Sequence, residues 1–558
     1  MGRTLVAAIA VPSVLALGYL AADVADVVPG FLTTDPEPLV AAPFLTASPA
    51  PSSSMDDAVL TGIGDDAPVP SAGVLQSYAQ DLRDDSRTGT STNVSVVDLL
   101  SGEQLVDLDA DDAQVPASTT KVLTAVAATT TLGEDYRIST DVAWDPDTST
   151  LTLIAGGDIL LAAGYGHGGD LSEYTAEEIA ETGGPSIANG YAGLADLADA
   201  VVDAIGTDLG TVTVAVDTSD FPGPAYPDAW PDYALQFGYA GRVTGLSIDE
   251  GRLTDDEYAQ RSNTPVTDTL VTFSDLLSAR GIDVGYVDEG DADATAEDSA
   301  DSSGTTDSSG DADATDATDA TDSTDSTDAT AASSASFLSS GAAAVATAVA
   351  VSHSTASNAT SSTSVPAKVD TSNVVASVES APLSDIVTYL LRDSDNTVAE
   401  QVGRILALET GREATPSGAA AAVTEALEGL GVDTTGLELH DGAGFSDKNQ
   451  ITPNQLVGAL RAAALLDEGD TGVFDWLAVM GVEGTVAERA GTDEVIGRGY
   501  AKTGSLTGVT ALTGIVETAD GRWLVFATLL DGMPQGQTAP RAAIDDFVAA
   551  LAGCGCEG

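Results

Sequence analysis

Between residues 288 and 366 the chain is built almost wholly from Asp, Ala, Thr and Ser, with near-repeats such as Asp313-Ala314-Thr315 and Asp316-Ala317-Thr318. Such a tract cannot bury enough apolar surface to offset the entropy of fixing its backbone, so it is expected to be disordered. Any packed domain must therefore be assembled from sequence on both sides of it. A second low-complexity stretch, residues 29–72, carries prolines at 36, 38, 43, 49 and 51 and the run Ser52-Ser53-Ser54, and reads as an extended spacer. Ahead of it, residues 1–28 open Met-Gly-Arg and run apolar from Leu5 to Ala22. That length stands between a signal peptide and a membrane-spanning helix, and either reading makes the chain exported. No clear Ala-x-Ala site precedes Asp23, which favours an anchor over a cleaved leader.

Charge narrows the partners. In 558 residues, 20 basic side chains face 87 acidic ones, for a formal charge of -67. Such a surface repels nucleic acid and anionic headgroups, so no nucleic-acid partner is expected. The acid excess suits a strongly solvated surface and, with lysine so depleted, also a salt-loving host; the solvated surface is the simpler reading. Cysteine occurs only at 554 and 556, within a terminal tail at 554–558, which excludes a disulfide framework. Histidine occurs only at 167, 353 and 440, none in a recognisable catalytic context. No metal and no cofactor are expected.

Lysine itself occurs only at 121, 368, 448 and 502. Two of these fall in short motifs, Ser118-Thr119-Thr120-Lys121 and Lys502-Thr503-Gly504, with Ser394-Asp395-Asn396 between them in the chain. Pro116 just ahead of Ser118, and the apolar run Val122, Leu123, Ala125 and Val126 behind it, put Ser118 in the first turn of a helix. A spacing of three then sets Lys121 on the same face, one turn along, within reach of the serine oxygen. Burial beside another cation would lower its pKa and make it a neutral proton acceptor. Ser394 and Asn396, two apart, can face one way with Asp395 facing the other; the competing local reading is an N-cap for the helix carrying Val398, Ala399 and Val402. Residues 499–506 read as a strand edge, followed by strands at 509–512 and 523–527. There Thr503 can hydrogen-bond a carboxylate, Gly504 permits close approach, and the Ser505 N–H can join that of Ser118 as an oxyanion hole. Each motif alone is ordinary helix, cap or turn chemistry. Together, in this order, they point to serine acyl transfer.

The three motifs resemble those of penicillin-recognising serine enzymes. With Ala155-Gly156-Gly157-Asp158, Ser380-Ala381-Pro382-Leu383, Ala399-Glu400 and the long span from Lys121 to Ser394, the chain resembles class C low-molecular-mass penicillin-binding proteins, D-alanyl-D-alanine carboxypeptidase/endopeptidases of the S13 peptidase type. It departs from their pattern at Asp441-Gly442-Ala443-Gly444-Phe445-Ser446, where Ser and Leu are usual at 443 and 445, and at Ile159, where Pro is usual; these changes are expected to touch local packing rather than chemistry.

The resemblance implies an α/β (α+β) fold in which a five-stranded antiparallel sheet is flanked by helices. It divides into a transpeptidase-like domain at 73–154 and 367–553, with strand-rich subdomains inserted at 155–287. It implies attack by Ser118 on the penultimate D-Ala carbonyl of peptidoglycan stem peptides, with Lys121 as base and Ser394 as proton relay. Asn396 would bind the peptide amide, and Lys502 and Thr503 the terminal carboxylate, beside Gly504 and Ser505. β-Lactams would acylate the same serine. Asp217, in Val216-Asp217-Thr218-Ser219, resembles a position that reads a distal ammonium, and also suits a plain turn. Two alternatives remain: a non-catalytic penicillin-binding sensor, against which the intact nucleophile, base and second lysine speak, and a serine β-lactamase, against which the long 121–394 span speaks.

Overall fold

The computed structural model describes residues 67–171, 187–288 and 371–555, apart from 255, 257, 467–471, 490, 491, 493 and 534–536. The apolar N-terminal segment, nearly all of the 29–72 spacer and the 288–366 tract lie outside the described residues.

Two sheets organise the chain. The first uses β1 (Ser91–Asp98), β2 (Gln104–Leu108), β8 (Ala478–Val479), β9 (Gly499–Leu506), β10 (Val509–Glu517) and β11 (Trp523–Asp531) in the order β2-β1-β11-β10-β9-β8. All its pairings are antiparallel. Five of these strands form the expected sheet, and the two-residue β8 adds a sixth at the edge. The sheet is apolar on both faces because it is covered on both. Along β11 the alternation is direct: Leu524, Phe526 and Leu530 pack into one cluster, Val525, Ala527 and Leu529 into the other. The first cluster is closed by α1 (Ala72–Asp84), through Leu75, Ala79 and Leu82, and by the C-terminal helix Thr538–Ala552, through Ile544, Phe547 and Val548. Burying each of these large side chains stabilises the fold by about 2 kcal/mol.

The other face meets the helical layer. Its centre is α2 (Thr120–Leu132), in which every residue from Thr120 to Thr129 is buried. A helix apolar or small all round belongs inside a protein, and Lys121 is its only charged residue. Packed on it are α5 (Leu383–Arg392), α6 (Asn396–Glu409), α7 (Pro416–Gly429) and α8 (Pro453–Leu466).

The second sheet runs β6-β5-β4-β3-β7, using β3 (Ser139–Asp145), β4 (Thr150–Ile154), β5 (Thr211–Asp217), β6 (Asp283–Asp288) and β7 (Val374–Glu379). β4, β5 and β6 are parallel, so each junction needs a crossover, supplied by α3 (Leu194–Ile205) and α4 (Pro265–Ala279). The sheet thus draws on both sides of the 155–287 segment, since β3 and β4 precede it and β7 follows it. The 155–287 segment, expected to be strand-rich, carries the helices α3 and α4 beside the strands β5 and β6. Cys554, at the start of the terminal tail, is buried at 5 % exposure, and its N–H bonds to the Leu551 carbonyl in the turn that ends the last helix.

Candidate active site

Ser118 lies in a 3-10 turn, Ala117–Thr119, that leads directly into α2. The turn is tight enough to place Ala117 at φ 50°, a left-handed conformation costing a non-glycine residue about 1–2 kcal/mol. One turn on, Lys121 is fully buried and its Nζ lies within hydrogen-bond distance of three oxygens: Ser118 Oγ at 3.0 Å, Asn396 Oδ1 at 2.6 Å and the Ala443 carbonyl at 2.7 Å. Two of these partners are carbonyl oxygens, which can only accept. A neutral amine satisfies both with its two N–H bonds, and its lone pair then faces the remaining partner, the Ser118 hydroxyl. Burial drives Lys121 toward that form, lowering its pKa to about 7 against the opposing pull of Asp441 and Asp395.

The second lysine is placed with equal economy. Lys502, also fully buried, donates from Nζ to Ser394 Oγ at 2.8 Å and to the Thr503 carbonyl at 3.0 Å. Burial, and then the nearby charge of Lys121, hold its pKa well below that of an ordinary lysine. Ser394, like Ala117, is left-handed at φ 62°. Asn396 opens α6, and its Nδ2 donates to the Tyr239 carbonyl at 2.9 Å. Thr503 Oγ1 bonds to Thr485 Oγ1 at 3.0 Å. Gly504 is required for packing: a Cβ there would stand 2.6 Å from the Pro116 carbonyl, so β9 lies directly against the Ser118 turn. Two serines, each on its own buried lysine, therefore share one cleft with Asn396. Such a set can move a proton off one hydroxyl and return it through the other.

The D-Ala-D-Ala carboxypeptidase 3 (S13) family model matches residues 74–553, well over half of the chain. The chain belongs to that family. It is similar to a carboxypeptidase of Mycobacterium tuberculosis, 27% identical with 91% of this chain and 90% of the relative covered. It is similar also to carboxypeptidase DacB of Mycolicibacterium smegmatis, 28% identical over the same shares. The D-alanyl-D-alanine carboxypeptidase of an Actinomadura species is 28% identical, covering 84% and 83%. Among solved structures, penicillin binding protein 4 of Haemophilus influenzae superposes with a TM-score of 0.55 at 17% identity, covering 86% of this chain and 98% of that one, which supports the fold. The chain is accordingly a hydrolase of the D-Ala-D-Ala carboxypeptidase type.

Within this S13 site, the 441–446 loop, whose departures were expected to touch local packing rather than chemistry, lies directly against Lys121. Asp441 Oδ1 accepts from the backbone N–H groups of Ala443 at 2.9 Å, Gly444, and Phe445 at 3.2 Å, and Oδ2 accepts from Ser446 N at 2.6 Å. Thr124 on α2 donates to the Gly442 carbonyl at 2.7 Å, and Glu400 on α6 accepts from Gly442 N at 2.8 Å. Gly444, at φ 77°, has no room for a Cβ, which would fall 1.9 Å from the Ala117 carbonyl. The loop is thereby fixed so that the Ala443 carbonyl meets Lys121. Because a backbone oxygen does this, Ala in place of Ser at 443 leaves the contact intact. The signal in the sequence was an Asp-Gly turn; its partner could not be read.

The two readings of Ser394-Asp395-Asn396 are compatible. Asp395 caps α6, accepting from Val398 N at 3.0 Å, and its other oxygen turns away from the cleft toward Arg252 at 3.4 Å and Arg261 at 3.8 Å. Glu250 joins them, with Arg252 at 3.1 Å, Arg261 at 3.4 Å and the Tyr389 hydroxyl donating at 2.8 Å. Burial, then the charge of Asp395, pushes the Glu250 carboxyl up. Burial also acts to raise Asp395, but the hydrogen bond from Glu250 and the two guanidiniums outweigh it and hold Asp395 low. Glu250 thus carries the proton of the pair.

Asp217 stands apart. It ends β5 and lines a cavity of about 240 Å³ with Arg137, Asp141, Asp220 and Glu409. Glu409 ends the helix that Asn396 begins, some 20 Å away at 1.5 Å per residue. The wall beside Asn396 is aromatic instead: Tyr239 packs edge-on against Tyr233 and Tyr258, and Phe445 against Trp230 and Tyr233. Its sequence signal is the run Tyr226, Trp230, Tyr233, Phe237 and Tyr239 in a chain with 5% aromatic residues.

Proposed function

We propose that Ser118 is the nucleophile of a D-Ala-D-Ala carboxypeptidase/endopeptidase acting on peptidoglycan stem peptides, and that Lys121 is its base. The observation that carries this reading is the buried Lys121 amine, lowered to about 7, 3.0 Å from Ser118 Oγ. Ser118 Oγ attacks the penultimate D-Ala carbonyl as its proton passes to Lys121. The carbonyl oxygen, now negative, is met by the N–H groups of Ser118 and Ser505. The C–N bond breaks as Ser394 gives its hydroxyl proton to the departing amine and takes up the proton held by Lys121, Lys502 supporting its hydroxyl; water then hydrolyses the ester, its proton passing by way of Lys121 back to Ser118 Oγ. Asn396 orients both Lys121 and the substrate amide, and Thr503 receives the terminal carboxylate on the edge of β9.

Endopeptidase action and acylation by penicillins extend the same step to a cross-link amide and to a strained lactam. The structurally similar Haemophilus protein bears the name penicillin binding protein, and has been solved with a β-lactam. Such chemistry takes place on the cell-wall side of the membrane. Among the described residues no helix is long and apolar enough to cross a membrane, and anchoring by the N-terminal segment is part of the proposal.

The test is D-Ala release from a peptide ending in D-Ala-D-Ala, by the protein without residues 1–70 and by its Ser118→Ala and Lys121→Ala variants. Release that vanishes in both variants is expected. Wild-type protein that takes fluorescent penicillin but releases no D-Ala would instead be a sensor.

A further inference from the structure

The lysine expected to clamp the terminal carboxylate is not placed to do so alone. Lys502 is fully buried and its Nζ is engaged by Ser394 Oγ and the Thr503 carbonyl. On β9 Thr503 and Ser505 are half-buried and share one face of the strand by their spacing of two, while Lys502 and Gly504 are buried on the other. The outer edge of β9 is paired to β8 only as far as Ala501, so from Lys502 onward β8 leaves that edge open to an extended peptide. Two hydroxyls are neutral donors; a carboxylate taken from water into a cleft requires a cation.

Arg541 is that cation. It lies on the C-terminal helix, one turn after Gln537, whose Nε2 donates to the Leu506 carbonyl at 2.7 Å and the Val509 carbonyl at 3.1 Å, pinning the helix start to the β9–β10 turn. On the same helix face, four residues on, Arg541 Nη2 donates to Ser505 Oγ at 2.9 Å. The acid one turn further, Asp545, is already taken by Arg489 at 2.8 Å. Among the described residues Arg541 makes no ion pair, in a chain where acids outnumber bases 87 to 20. A guanidinium left with a hydroxyl as its partner, beside an open strand edge, has donors to give to a planar two-oxygen anion.

We infer that Arg541, working through and beside Ser505 and Thr503, is the residue that recognises the substrate's terminal carboxylate. This rests on the peptidase reading and names the cation that reading lacks.

The experiment compares kcat/KM for a D-Ala-D-Ala peptide with that for the same peptide as its C-terminal amide, in wild type, Arg541→Gln and Arg541→Lys. A charge-assisted hydrogen bond of this kind is worth roughly 10- to 100-fold, so Arg541→Gln is expected to lose about that factor on the acid, chiefly in KM, and nothing on the amide. Arg541→Lys is expected to recover part of the loss. An equal fall on both substrates would make Arg541 merely structural, and no fall on the acid would remove it from recognition; either result overturns the inference. Acylation by a penicillin and by its carboxylate ester supplies a second reading of the same contrast. If wild type is acylated by penicillin yet cleaves neither peptide, the peptidase reading fails, while the acid-to-ester ratio in the variants still decides for or against Arg541.

Discussion

Lys121 Nζ lies 2.6 Å from Oδ1 of Asn396, closer than to the Ser118 oxygen it is proposed to deprotonate. The contact joins the first turn of α2 to the first residue of α6, 275 positions later in the chain. It orients the amine, because a carbonyl oxygen can only accept, and so it reserves the lone pair of neutral Lys121 for Ser118.

The rate of acylation should therefore follow the neutral fraction of Lys121. Burial lowers that pKa to about 7, so the protonated form, which is inert as a base, prevails below 7 and the neutral form above it. Penicillin labelling measured from pH 5 to 9 is expected to rise with pH, with its midpoint near 7. A rate that is flat across this range would dismiss Lys121 as the base.

Asn396→Asp places a negative charge where the amide oxygen now accepts, which favours the ammonium and raises the Lys121 pKa. The same change removes the donor to the Tyr239 carbonyl. Labelling at pH 7 is expected to fall about tenfold or more, one pKa unit of upward shift being worth that factor, and the midpoint of the pH profile to move above 7. A tenfold loss without movement of the midpoint would mean that Asn396 serves only the substrate.

Asp441→Asn turns one of the two oxygens that collect four backbone N–H groups into an NH2 donor facing a donor. The variant is expected to lose about 1–3 kcal/mol of stability in denaturant unfolding. It should also label more slowly, because the Ala443 carbonyl loses its support. Unchanged labelling in a folded but destabilised variant would separate the loop from the base.

Glu250 is held protonated by burial, so a neutral isostere should replace it. Glu250→Gln is expected to keep labelling within about threefold of wild type, whereas Glu250→Ala leaves Arg261 with Asp395 alone and Arg252 with Asp395 and Asp249, and opens a cavity, costing roughly 3 kcal/mol. Equal destabilisation of the two variants would show that the charge of Glu250, and not its proton, is what the network uses.

Much of this was legible because it is local. The Ser118 turn and the 499–506 strand follow from proline placement and period-two alternation, both written within a few positions of one another. The resemblance carried by three short motifs gave the family. What could not be read was the company each motif keeps. The two half-sites of β3–β4 and β7 give no sign that they pair across the 288–366 tract, since pairing partners are chosen by edges and faces formed only in three dimensions. The 441–446 loop looked like packing because its contribution is a backbone carbonyl, which every residue owns and no side chain announces.

By itself, then, the sequence determined the three motifs, their two lysines and the family, because those depend on residue types at short spacings. Only the tertiary structure decided that Asp217 stands at the far end of α6 from the cleft, that Lys502 is sealed onto Ser394, and that Arg541, 36 residues after Ser505, donates to it. The physical reason is common to all three. A charge acquires its role from burial and from the groups within about 4 Å of it, and those are fixed by how helices and sheets pack rather than by neighbours along the chain.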